Sequence, residues 1–162
     1  MGRAQWLTGD VEAGLSWMDR SVEISPNYAF GLYNGALLHA IQCDGDRGEE
    51  NVAKAMNLSP IDTLTQSMLA ARGIACMVRG DDQSQTYWAE RALRAPNVHI
   101  YVDCMGVMVY GLAGVWDAAH LCAENVRRKN PSFGQADFFA TFTLLDPAIL
   151  ESVEAAFSRL GL

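Results

Sequence analysis

Cations are scarce in this chain. Its 162 residues hold 12 lysines and arginines against 19 aspartates and glutamates, a net charge of -7. A nucleic-acid binder needs a basic stripe that neutralises phosphates and releases their counterions, and none is present. The one basic run, Arg127-Arg128-Lys129, falls where a helix should end and suits the carbonyl end of its dipole. Long apolar runs are missing too. None approaches the roughly 20 residues of a membrane-spanning helix, and Met1-Gly2-Arg3 does not open a signal peptide. The four cysteines, at 43, 76, 104 and 122, include no Cys-x-x-Cys pair. Each falls inside an apolar helical pattern and reads as a buried reduced thiol, which points to a cytoplasmic location.

Motifs that carry chemistry are equally sparse. The three histidines, His39, His99 and His120, are dispersed and form no His-Glu-x-x-His, while His120 and Cys122 are two apart on a helix and face different ways. No Gly-x-Ser-x-Gly marks a serine nucleophile. Gly106, Gly111 and Gly114 follow no strand, so no phosphate loop is formed. The acidic pairs Glu49-Glu50 and Asp81-Asp82 open helices, where negative charge suits the dipole. No metal, no cofactor and no catalytic activity are expected.

What the sequence does contain is helical periodicity and a repeat. Half of its residues are hydrophobic, enough for one compact domain or a short array. Prolines at 26, 60, 96 and 131 are separated by 34, 36 and 35 residues, a period in the range of stacked supersecondary units. Between them lie pairs of helical patterns joined by short turns: Gly9-Asp10, Gly45-Asp46, Gly80-Asp81 and Gly114. Helices are predicted over about Val11 to Ile24, Tyr28 to Ile41, Asp46 to Asn57, Asp62 to Val78, Asp82 to Arg94, Val98 to Leu112, Trp116 to Lys129 and Phe133 to Leu145. Asp146-Pro147, a cap followed by proline at the first helical position, starts a last one. Trp17 and Trp88, each three residues before an arginine, are expected to pack at repeat junctions.

With small residues at Ala36, Ala70 and Gly106, at Gly48 and Ala118, and at Ala55, the chain resembles a tetratricopeptide repeat (TPR) array, whose helix-turn-helix unit is about 34 residues long. Small side chains at those places let paired helices approach closely. The family's aromatic at its fourth position is replaced by Leu32, Gln66 and Val102, so the repeats are divergent. The resemblance implies an all-α, right-handed α-α superhelix of TPR-like hairpins with a C-terminal capping helix. It forms a single domain over 1–162, divided as a partial repeat 1–26, repeats 27–60, 61–96 and 97–131, and a capping segment 132–162. Ile24-Ser25-Pro26-Asn27, Leu58-Ser59-Pro60 and Arg159-Leu160-Gly161-Leu162 also resemble the C-terminal TPR region of bacterial multidomain transcriptional regulators or cyclases.

The resemblance implies a non-catalytic protein-protein interaction or scaffolding module, the C-terminal regulatory region of a larger bacterial regulator. Its partner would be a protein or peptide held in the concave groove, with no direct nucleic-acid contact and no membrane. Mapped onto this sequence, the family's groove positions select Phe30, Tyr33, Asn34, Leu37, Met68, Ala71, Ile74, Asp103, Val107 and Tyr110, with Ala40, Leu64, Ser67, Ile100 and Cys104 beside them. Asn34 is the only residue of the carboxylate-clamp type there, so an apolar or mixed groove is expected. Two alternatives stand beside this reading: a small-molecule sensor binding a metabolite in the groove, and a self-association module forming a homo-oligomer.

Overall fold

Four aspartates fix where helices begin. Asp10, Asp44, Asp81 and Asp146 each turn a carboxylate back onto a backbone N–H of the first helical turn, accepting from Ala13 (3.0 Å), Arg47 (3.1 Å), Ser84 (3.0 Å) and Ala148 (2.8 Å). Each such cap is worth about 1 kcal/mol. The computed structural model describes residues 2–94, 98–142 and 146–162. The expected stop at Pro96 and the expected helix end at Leu145 lie outside them.

The described residues form ten helices and no strand, so the chain is all-α. They are α1 (Gly2–Leu7), α2 (Val11–Ile24), α3 (Ala29–Ile41), α4 (Gly45–Leu58), α5 (Thr65–Val78), α6 (Asp82–Leu93), α7 (Ile100–Leu112), α8 (Trp116–Lys129), α9 (Gln135–Phe139) and α10 (Pro147–Arg159). No helix among the described residues is long and apolar enough to cross a membrane. Neighbours in sequence pair as hairpins, α1 with α2, α3 with α4, α5 with α6 and α7 with α8. α2, α4 and α6 each also pack on the odd-numbered helix that follows, and α3, α5 and α7 pack on one another in turn. The consequence is visible in burial. α3, α5 and α7 are apolar almost all round and bury nine or ten residues each, whereas α2, α4, α6 and α8 bury four or fewer and present a polar face.

Close approach depends on missing side chains at two sites in α7. A Cβ on Gly106 would stand 2.7 Å from Cys122 Sγ, and one on Gly111 would stand 2.7 Å from Ala156 Cβ. The first glycine admits α8 and the second admits α10, which packs directly on α7. Two contacts from α8 secure α10 further. Arg127 donates to the Leu160 carbonyl at 2.6 Å, and Arg159 lies over the Trp116 ring at 3.7 Å.

Three expectations need correction. The second turn falls at Cys43-Asp44 and not at Gly45-Asp46, because Asp44 is the cap and Gly45 is already helical. Cys43 therefore takes the left-handed conformation (φ 64°) that glycine takes in the α1–α2, α5–α6 and α7–α8 turns; it is half-buried in a turn, and only Cys76, Cys104 and Cys122 are core thiols. The helix expected from Phe133 is reduced to the short α9: Gly134 is extended, and its N–H donates to Asp137 at 2.9 Å to start the helix later.

Candidate functional site

The first helix, six residues long, would not hold by itself. It is fastened at a distance: the Trp6 indole N–H donates to the Thr141 carbonyl at 2.8 Å, and its ring meets Phe142 edge-on at 5.5 Å. Tyr101 extends this cluster, with Phe142 at 5.5 Å, Phe133 at 5.7 Å and Phe138 at 6.2 Å. Phe138 and Phe142, one helical turn apart, stack at 4.8 Å. The stretch after α9 thus lies beside α1 and α7 at once.

Between these segments is a cavity of about 370 Å³. Its walls come from odd-numbered helices and their approaches: Arg3, Trp6 and Leu7 of α1, Tyr33 and Asn34 of α3, Thr63, Leu64, Gln66 and Ser67 around the start of α5, and His99, Tyr101, Val102 and Met105 around the start of α7. Thr141 and Phe142 close one side. That size falls at the lower end of ligand pockets, about 300–1,000 Å³, and an apolar wall with a few convergent polar groups is their usual composition.

The polar groups are individually defined. Asn34 is 2 % exposed, and its amide N–H donates to the Phe30 carbonyl at 2.7 Å. Burial raises the Tyr33 phenol above its ordinary pKa, against the opposing pull of the Ser67 hydroxyl and the Arg3 charge, so the phenol stays neutral. Tyr101 and Thr141 hydroxyls lie 3.4 Å apart. His99 Nδ1 accepts from the Tyr101 backbone N–H at 3.3 Å, which leaves the ring proton of the neutral imidazole on Nε2. Arg3 is exposed and sits 5.9 Å from the Phe30 ring centre; no carboxylate among the described residues pairs with it.

Of the ten residues expected to line a groove, Tyr33 and Asn34 reach this cavity, as do Leu64 and Ser67 beside them. Phe30 is part-buried on the side where Arg3 lies. Leu37, Met68, Ala71, Ile74 and Val107 are buried core at 0–1 % exposure, and Tyr110 is buried at 7 %. Asp103 is fully buried for another reason: its carboxylate receives Lys129 Nζ and the Asn125 amide, tying α7 to the end of α8. The family positions fall on α3, α5 and α7, and of the cavity-lining residues Trp6, His99, Tyr101, Thr141 and Phe142 are not among them. The sequence signal nearest to them is the group of phenylalanines at 133, 138, 139 and 142.

Features outside the cavity resolve as structure. His39 is buried on α3, its Nε2 3.1 Å from Asp19 Oδ1 and its Nδ1 3.9 Å from Asp44 Oδ2, linking α2, α3 and the α4 cap. Trp88 sits under the Arg72 guanidinium at 3.9 Å, closer than Arg91 at 5.3 Å, and Arg72 in turn holds Glu49 at 2.5 Å. That chain of contacts joins α4, α5 and α6. Trp17, by contrast, is 45 % exposed. No group of three or more His, Cys, Asp or Glu among the described residues is placed to hold a metal ion. Compared with known proteins, the chain matches no family model and shows no significant similarity to any curated protein.

Proposed function

We propose that this chain is a non-catalytic binding domain that receives a small organic ligand in the cavity between α1, α3, α5, α7 and the stretch after α9, and works as a sensor region of TPR-like architecture. The pairing of neighbouring helices and the stacking of α3, α5 and α7 support the TPR-like reading and, with it, a superhelical sense. The observation that carries the ligand reading is the cavity itself. It is lined by the polar side chains of Asn34, Ser67, Tyr33 and Thr141 amid apolar and aromatic walls, a composition that suits a small guest. Because helices far apart in sequence form its walls, a guest bridging them stabilises the folded state only. A thermal-shift screen against a metabolite library tests this: hits raise the melting temperature in proportion to ln[ligand] well above Kd. Thr63→Trp, at an exposed position on the wall, abolishes those shifts. A screen with no hit, or hits that survive Thr63→Trp, refutes it.

A protein partner, and with it the scaffolding role in a larger bacterial regulator, is favoured by a separate observation. Between α6 and α8 runs an open groove where Tyr87, Val115 and Leu121 stand 50 %, 42 % and 60 % exposed. Exposed aromatic and aliphatic side chains grouped in this way suit a helical or extended peptide. Leu121→Glu would abolish capture of such a partner without altering ligand shifts, and capture unaffected by that change would remove this second reading.

A further inference from the structure

The chemistry of the cavity also narrows its guest, on the premise that the cavity is the ligand site. The chain carries 19 carboxylates, yet none lines this cavity. Its ionisable nitrogen groups are Arg3 and His99, both exposed at the rim. Arg3 has no acid to pair with among the described residues, although acids outnumber bases over the whole molecule. A planar guanidinium left unpaired at the mouth of a pocket matches a carboxylate, which it grips through two parallel hydrogen bonds. His99 adds an N–H donor, because Tyr101 has already claimed its other nitrogen. Asn34, whose amide N–H is engaged with the Phe30 carbonyl, lines the cavity as well, and its oxygen can accept from a guest. Trp6, Tyr101 and Phe142 supply ring surface, which favours a flat guest through edge and face contacts.

We infer that the cavity binds a small aromatic monocarboxylate that bears a hydroxyl or ring N–H away from its acid: the acid at Arg3, the ring among Trp6, Tyr101 and Phe142, and the far donor on Asn34. One or two rings suit the space of about 370 Å³. The ligand is free and small.

Calorimetric titration of the full chain with 4-hydroxyphenylacetate and indole-3-acetate, beside neutral 4-methylphenol and indole, tests this. The acids are expected to bind at least tenfold more tightly than their neutral counterparts, and more weakly as salt rises. Arg3→Gln, at an exposed position, is expected to remove that advantage while leaving the melting temperature and the neutral affinities unchanged. Asn34 is buried, so the far donor is read from the ligand and not from a substitution there: phenylacetate, lacking the hydroxyl, is expected to bind several-fold more weakly than 4-hydroxyphenylacetate. Equal binding of acids and neutral rings, with no effect of Arg3→Gln, overturns the assignment and leaves the cavity reading standing. If neither acids nor neutral rings bind, and Thr63→Trp changes nothing, both fall together.

Discussion

The ion pair between Asp103 and Lys129 makes a prediction about asymmetry. Asp103 is fully buried and receives two hydrogen bonds, from Lys129 and from Asn125 at 3.3 Å. The Lys129 side chain is 26 % exposed and also donates to the Val98 carbonyl at 2.6 Å. The two charges are therefore not equally dependent on each other. In Asp103→Asn the ammonium keeps the Val98 carbonyl and some water, so the loss should be about 2 kcal/mol, near a charged hydrogen bond. In Lys129→Met the carboxylate keeps one amide donor and no water, and the loss should reach about 3–5 kcal/mol, as for a buried pair broken on one side. Replacing both, as Asp103→Leu with Lys129→Met, removes the uncompensated charge and should recover most of the loss. Urea unfolding followed by tryptophan fluorescence at neutral pH gives all three values. Single losses both below about 1 kcal/mol, or a larger loss for Asp103→Asn than for Lys129→Met, would refute the reasoning.

Cys43→Gly should stabilise the chain by about 0.5 kcal/mol, because relief of a left-handed non-glycine residue, worth about 1–2 kcal/mol, exceeds the added freedom of glycine in the unfolded chain; a lower urea midpoint would contradict this. Gly111→Ala gains about 1 kcal/mol in helix propensity but meets the rigid Ala156 Cβ, so a net loss of about 1–2 kcal/mol is expected in the same assay. Burial pushes the thiols of Cys76 up to about 11 and of Cys104 and Cys122 up to about 12. One fast thiol, that of Cys43, should accordingly react with a thiol reagent at mild alkaline pH in the folded protein, and three only on unfolding. The sign of the linked stability follows. Above the ordinary thiol pKa of about 8.5 the unfolded chain loses protons that the folded one keeps, so stability should fall as pH rises from about 9 toward 12, and a flat profile there would count against it.

Most of the helices were legible because local signals set them. Val11–Ile24 and Trp116–Lys129 begin and end where capping, periodicity and the chain's basic run place them. The turn at Cys43 misled because glycine marks the left-handed position in its three counterparts, and Gly45 two residues on drew the assignment to itself. For the site, repeat positions led to Tyr33 and Asn34, whose helix is part of the periodic stack. Trp6 and Thr141 were beyond such reasoning: their hydrogen bond joins residues 135 apart in the chain and depends on where the stretch after α9 travels, which no local pattern encodes. The buried Asp103 looked like a groove residue for a related reason, since its partner Lys129 sits at the far end of the following helix.

The bond from Trp6 to Thr141 also sets how the molecule tolerates growth. In an open row of repeats each unit touches only its neighbours, so units can be added or lost at small cost and unfolding spreads from the ends. Here α1 grips Thr141 and Phe142, so helices far apart in the chain are tied to each other directly. Inserting one more hairpin between them would pull Trp6 off Thr141, and melting α1 or α9 would release the other. The helices from α1 to α9 should then unfold in a single concerted step, because each side of that contact depends on the other.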